Sequence, residues 1–208
     1  VAPVQEAKLT WKSGTSLESG NYTLADKSNG TYAAGDDIMF DISGDNSAVI
    51  QISGTVSPSK IWAMNPKGHD YVAGGTGKLS GAMELVKSMK GKFTLNGNHT
   101  YTGLTRISEG TLEVNGSLAG PVQVDANGTL SGNVVLNGAV SLAPSLHTEG
   151  GRRAPGRGIN AGEPGKMTIN GNLTLPGKTN LHFDILTTNP SHNDTLQING
   201  DVVARGVT

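Results

Sequence analysis

Lys92-Phe93-Thr94-Leu95-Asn96-Gly97 is followed by a second copy of its own pattern, Thr111-Leu112-Glu113-Val114-Asn115-Gly116. In each copy polar and apolar residues alternate over four positions, the period-two pattern that sends one set of side chains inward and the other to water. The same unit recurs at Pro121-Val122-Gln123-Val124, Asn133-Val134-Val135-Leu136, Ala139-Val140-Ser141-Leu142, Lys166-Met167-Thr168-Ile169 and Asn172-Leu173-Thr174-Leu175. Nearly every copy is followed by Gly or Asn-Gly. Helical periodicity is almost absent; its best stretch, Gly81 to Met89, is short and poorly capped.

Asn-Gly also occurs at Asn29-Gly30, Asn127-Gly128, Asn137-Gly138, Asn170-Gly171 and Asn199-Gly200. Two architectures use it. A hairpin meander would place Asn-Gly in type I′ turns, which need two positive-φ residues. A solenoid would place it at corners, where Gly and Asn tolerate left-handed φ. The spacing favours the solenoid, since Asn96, Asn115 and Asn137 recur at intervals of roughly 20 residues, with Asn127 falling between the last two. At roughly 20 residues per rung the chain makes about ten rungs stacked ~4.8 Å apart, a rod on the order of 50 Å. Stability would then be a sum of local stacks rather than the property of one central core.

Composition agrees. Of 208 residues 30 are Gly, about twice average usage, and charged residues are 16% against ~25% on average. Only 3 Phe and 2 Trp are present, as expected without a large aromatic core. A net charge of −1 argues against a nucleic-acid partner, which calls for a basic face. No apolar run approaches the ~18 residues of a transmembrane helix. The absence of Cys removes thiol catalysis, thiolate metal sites and disulfides together. The chain opens Val1-Ala2-Pro3-Val4 without a Met start, and Asp201-Val202-Val203-Ala204 reads as a strand close to the other end. It is therefore expected to be part of a longer or processed chain. The expected organisation is a single β-helix domain over 1–208. It is interrupted at 143–164 by an exposed loop rich in Gly, Pro and Arg, with Arg152, Arg153 and Arg157, and by a smaller break from Thr187 to Asn193.

Candidate chemistry is thin. Asp36, Asp37, Asp41 and Asp45 could offer oxygens to Ca²⁺, but adjacent carboxylates on a strand point to opposite faces. Solvated turn acids are the simpler reading. Glu84, Glu109, Glu113, Asp125, Asp184, Asp194 and Asp201 are spread over different rungs, not paired as a glycan hydrolase requires. His69, His99, His147, His182 and His192 show no metal-ligand spacing, and no Gly-x-Ser-x-Gly elbow occurs. Trp11, Trp62, Tyr22, Tyr32, Tyr71 and Tyr101 could stack on sugars if exposed, or cap the N-terminal end of the solenoid; capping is the preferred expectation. No catalytic, cofactor-binding or metal-ligating residue is assigned.

One block is specific enough to carry a resemblance. Tyr71-Val72-Ala73-Gly74 leads through Gly77-Lys78-Leu79-Ser80-Gly81 and Leu85-Val86-Lys87 into Gly91-Lys92-Phe93-Thr94-Leu95. Asn98-His99-Thr100-Tyr101-Thr102-Gly103-Leu104-Thr105 and Glu109-Gly110-Thr111-Leu112 then follow. It resembles the autotransporter-associated β-strand repeat. Gly165 to Leu175, Leu181 to Ile185 and Asn193 to Gly200 are similar to the segment that follows such repeats. The resemblance covers roughly residues 30 to 206, and the enlarged loop after Ala143-Pro144 departs from the family's compact turn.

The resemblance implies a right-handed parallel β-helix, secreted or held on the outer surface of a Gram-negative bacterium. It implies a non-catalytic stalk, scaffold or adhesin-like segment of an exported precursor. Its partners would be adjacent domains of that precursor, and a host or cell-surface protein or glycan. A carbohydrate-binding or glycan-active β-helix is the alternative, and a catalytic domain attached elsewhere in the precursor is compatible with both.

Overall fold

A computed structural model describes residues 7–142, 152–155, 165–176, 180–181 and 195–205. Among these there is no helix, and the strands, numbered β1 to β21 in chain order, join mostly in parallel. They form three ladders. The first runs β1 (Lys8–Ser13), β4 (Asp37–Phe40), β7 (Lys60–Met64), β10 (Glu84–Ser88), β12 (Thr105–Leu118), β13 (Val122–Gly132), β15 (Val140–Leu142), β18 (Leu173–Pro176) and β21 (Val202–Arg205).

The second ladder runs β5 (Ala48–Gln51), β8 (Tyr71–Gly74) and β11 (Lys92–His99) into the later parts of β12 and β13. It continues through β16 (Arg152–Pro155) and β19 (Asn180–Leu181). The third begins with β6 (Thr55–Val56) and β9 (Lys78–Leu79). It resumes from the ends of β11 and β12 through β14 (Val134–Leu136), β17 (Lys166–Ile169) and β20 (Thr195–Ile198). Strand β12 serves all three ladders, and β11 and β13 two each, by turning corners, with a one-residue register shift between Ile107 and Glu109 where β12 pairs with β13. A chain that returns in parallel on itself in this way is consistent with a β-helix.

Parallel pairing removes the hairpin meander for the Asn-Gly sites from Asn96 onward, because a two-residue turn can join only antiparallel neighbours. Antiparallel pairing is confined, among the described residues, to β1 with β2 (Asn21–Thr23) and β2 with β3 (Asn29–Gly30). Asn29-Gly30 is itself the short strand rather than the turn.

Register is set by the alternation. Leu9, Ile38, Ile61, Leu85, Thr105, Val122, Val140 and Leu173 stand in one column, each the register partner of the next and each buried. A fully buried Leu, Ile or Val contributes roughly 1.5–3 kcal/mol, so each level of the ladder is stabilised locally. The polar member of the column, Thr105, exchanges a 2.6 Å hydrogen bond with the hydroxyl of buried Tyr101.

The aromatics depart from the capping expectation. Trp11, Phe40, Tyr71 and Phe93 form one buried cluster spanning successive levels, with ring centroids 5.3 to 5.9 Å apart along the chain of contacts Trp11–Phe40, Phe40–Tyr71 and Phe40–Phe93. Tyr22 is buried on the antiparallel hairpin with its hydroxyl donating to the Leu17 carbonyl at 2.5 Å, and Tyr32 packs partly buried against the core, its hydroxyl accepting the Ser57 N–H at 3.1 Å.

Corners carry the asparagines. The Asn115 amide donates to Asn96 Oδ1 at 2.9 Å, 19 residues back. Asn170 donates to Asn137 at 2.8 Å across 33 residues, and Asn199 to Asn170 at 2.7 Å across 29. A primary amide both donates and accepts, so identical residues can satisfy one another up a column. The step from Asn115 to Asn137 is not a coil: the residue stacked on Asn115 is Asn133, whose N–H reaches Asn115 Oδ1 at 3.2 Å, 18 residues on.

Within the stretch expected as an enlarged loop, Arg152–Pro155 pair in parallel with β13, and Arg152 and Arg153 with β19. The rest of 143–164, Arg157 included, and the smaller break from Thr187 to Asn193 lie outside the described residues.

Candidate functional site

The residues singled out for chemistry are dispersed by the ladder. Asp36 is buried with both carboxylate oxygens committed, Oδ1 accepting the Ala7 N–H at 2.9 Å and Oδ2 the Ala33 N–H at 2.8 Å. Asp41 accepts the Ser43 N–H at 2.8 Å and its hydroxyl. Glu84, Glu113 and Asp125 lie on different strands, each facing a base on the adjoining one: Lys60–Glu84 at 2.7 Å, Lys92–Glu113 at 3.5 Å and Arg106–Asp125 at 2.7 Å. Exposed pairs of this kind contribute ~0–1 kcal/mol. Among the described residues no group of three or more His, Asp or Glu gathers at metal-binding range. His69 Nε2 meets the Tyr71 hydroxyl at 3.0 Å, while that hydroxyl donates to the Asp41 carbonyl at 2.5 Å. His147, His182, His192, Asp184 and Asp194 lie outside the described residues.

The outer side of the first ladder holds an apolar feature of which the sequence analysis named only Trp62. In register across the strands stand Thr10, Met39, Trp62, Val86, Arg106, Gln123, Ser141 and Thr174. The row ends on Val203 of β21, is polar from Arg106 to Thr174 and is apolar at Met39, Trp62 and Val86. Met64, two residues beyond Trp62, joins them on the same side. A groove of about 370 Å³ lies here, lined by Lys8, Leu9, Asp37, Met39, Trp62 and Met64. Lys60 Nζ sits 4.4 Å from the centre of the Trp62 ring, within cation–π range. The alternation itself was the available signal: once Ile61 and Ala63 point inward, Trp62 and Met64 must point out.

A second group is internal and polar. Lys87 is fully buried, its inward direction set by the same alternation as Leu85. Its ammonium donates to the carbonyls of Ser88 and Met89, both at 2.7 Å, and of Glu109 at 3.4 Å. Burial pushes its pKa down to about 8, with Glu109 and Asp70 pulling the other way. The corner it serves is tight: Met89 has φ 60° and Gly110 φ 72°.

His99 is likewise buried, its Nδ1 accepting the Leu79 N–H at 3.1 Å while Nε2 has no hydrogen-bond partner. Burial pushes its pKa down to about 4, against a weaker opposite pull from the Asn96 backbone. The folded chain therefore holds His99 neutral, and the unfolded chain binds the extra proton between pH 6.5 and 4. Stability is complete above about pH 6.5 and falls as the pH drops toward 4. Folded and unfolded values of about 4 and 6.5 correspond to about 3 kcal/mol of that loss. Replacing His99 with Asn retains an acceptor for Leu79. Denaturant titrations at about pH 7 and about pH 4.5 should show a smaller acid loss for the variant; equal losses would remove His99 as the cause.

Residues 85–114 match the family model of the passenger-associated-transport-repeat. Both Lys87 and His99 fall inside it. The chain is 35% identical over 140 residues to the adhesin BmaC autotransporter of Brucella suis biovar 1 (strain 1330), covering 66% of this chain and 4% of that protein. It is 41% identical over 81 residues to an extracellular serine protease of Serratia marcescens, covering 39% of this chain and 7% of that protein. No solved structure matches. Among the described residues no helix is long and apolar enough to cross a membrane. The matches indicate export to the outer cell surface of a Gram-negative bacterium. The repeat at residues 85–114 and the two relatives together support an autotransporter passenger repeat within this chain.

Proposed function

We propose that the chain is a non-catalytic, surface-exposed β-helical scaffold, stalk-like or adhesin-like, within a longer exported precursor. Its coil is right-handed, with roughly ten rungs, and residues 1–208 form one domain, with the parts of 143–164 on either side of β16 serving as display loops. The observation that carries the reading is the continuous parallel ladder from β1 to β21. Such a ladder spends its inward side chains on stacking and the outward acids Glu84, Glu113 and Asp125 on cross-strand ion pairs. The groove on its outer side is lined by a single carboxylate, Asp37, and not by the pair that glycan hydrolysis uses. Partners are adjacent domains of the precursor and a host or neighbouring-cell surface. The adhesive part of the reading draws on the Brucella relative, named an adhesin.

The test has two arms. Displayed on a Gram-negative cell through a heterologous translocator, the chain should raise adhesion to epithelial monolayers above a strain displaying an unrelated β-helix. The purified chain should leave casein and polysaccharide substrates unchanged. Turnover of either substrate would make the chain an enzyme, and adhesion equal to the control would leave no adhesive role.

A further inference from the structure

We propose that the groove on the outer side of β1, β4 and β7 is a binding site for a neutral glycan, with one pyranose ring packed against Trp62, Met39 and Met64. This deepens the adhesin-like reading and rests on it, since it names the class of ligand such a surface would hold.

The first observation is the apolar row itself. The outward side of a solvated sheet needs no apolar residues, and further along this ladder the same row is Arg106, Gln123, Ser141 and Thr174 before it ends on Val203. Met39, Trp62 and Met64, each half-buried, therefore stand together where the fold does not require them, and clustered apolar groups open to solvent mark interaction sites. The volume of about 370 Å³ lies within the ~300–1,000 Å³ of small-molecule sites.

The second observation is the charge at its rim. Asp37 has a lysine in register on each side, Lys8 on β1 and Lys60 on β7. Elsewhere such cross-strand neighbours close into ion pairs. Lys60 turns instead to Glu84 and to the Trp62 ring. Among the described residues no ion pair joins Asp37 to either lysine. The groove thus presents a carboxylate acceptor and, from Lys8, an ammonium donor beside an aromatic and thioether wall.

These features select among ligands. A purely apolar peptide or lipid would cover the Asp37 carboxylate without giving it a partner, which is strongly unfavourable. A polyanion would meet Asp37 and Glu84. A pyranose suits both parts, because its C–H face packs on the indole and thioethers while its hydroxyls donate to Asp37 and accept from Lys8.

The experiment titrates the intact chain with cellotetraose, tetra-N-acetylchitotetraose and α-1,2-mannotetraose, with tetragalacturonate as the acidic comparison. Tryptophan fluorescence is the readout; Trp11 is fully buried, so a ligand-induced change reports on half-buried Trp62. At least one neutral tetrasaccharide should bind saturably below about 10 mM. Trp62→Ala and Asp37→Asn should each weaken it tenfold or more, with thermal unfolding unchanged in Asp37→Asn.

Four results would overturn the proposal: no saturable binding by any neutral probe, binding that survives both substitutions, equal or tighter binding of tetragalacturonate, or concentration-dependent self-association abolished by Met39→Ser. The cell-adhesion assay tests the broader reading separately. Adhesion without glycan binding would discard the groove alone, and loss of adhesion would discard the adhesin.

Discussion

Replacing Gly116 with alanine is expected to cost about 3–5 kcal/mol of folding free energy, a large share of what a domain of this size has. Gly116 has φ 143°, a backbone region that L side chains rarely adopt. A Cβ there would meet the Gly97 carbonyl oxygen at 2.0 Å and its carbon at 2.5 Å. The neighbour cannot give way, because Gly97 is the register partner of Gly116 and the strand continues on both sides of it. Gly54 supplies the contrast: its nearest neighbour to a built Cβ is the flexible end of Glu18 at 3.7 Å. Gly54→Ala should therefore stay within about 0.5 kcal/mol of the parent. Denaturant midpoints for the pair measure the difference. A Gly116 variant as stable as the Gly54 variant would mean that the corner relaxes freely and that close stacking does not hold it.

Lys87→Met should cost about 2–5 kcal/mol, although methionine fills a similar volume. The substitution leaves the Ser88, Met89 and Glu109 carbonyls without the ammonium that now satisfies them. An unsatisfied buried acceptor costs about 1–3 kcal/mol, and water is the only substitute partner if the corner opens. The geometry predicts local damage. Amide exchange should quicken at the corner formed by Met89 and Gly110 before it quickens at Leu130 or Val140. A variant as stable as the parent, with protection unchanged there, would make Lys87 dispensable to the corner.

The middle of the fold is written plainly in the sequence because coil length there is short and even. Asn96 and Asn115 mark one column at 19 residues, and the alternation around Phe93, Leu95, Leu112 and Val114 places all four inward. Away from that centre the period stretches to 29 and 33 residues, so equal spacing stops being a guide. Asn137 shows the difficulty. The dipeptide declares a corner but not which corner, and Asn137 belongs with Asn170 and Asn199 rather than with Asn115.

The antiparallel hairpin of β2 and β3 escaped for another reason: Asn29-Gly30 has the composition of a turn yet lies in a strand. The groove was half legible. Parity places Trp62 and Met64 outside, but their meeting with Met39 and Asp37 depends on the register between β4 and β7, which no local pattern fixes. The inward Lys87 and His99 follow the alternation faithfully; what the pattern withholds is the set of carbonyls and amides waiting for them.

The corners also decide how the chain meets tension. Each level is held to the next by backbone hydrogen bonds directed across the strands, along the stacking direction. A pull on the two ends of the chain therefore loads one terminal level at a time, as a zip is opened, instead of shearing every level at once. A 19-residue coil frees up to about 65 Å of chain and a 33-residue coil up to about 110 Å, so slack is released in unequal steps. A ladder built this way lengthens under load while the levels that remain closed keep their register.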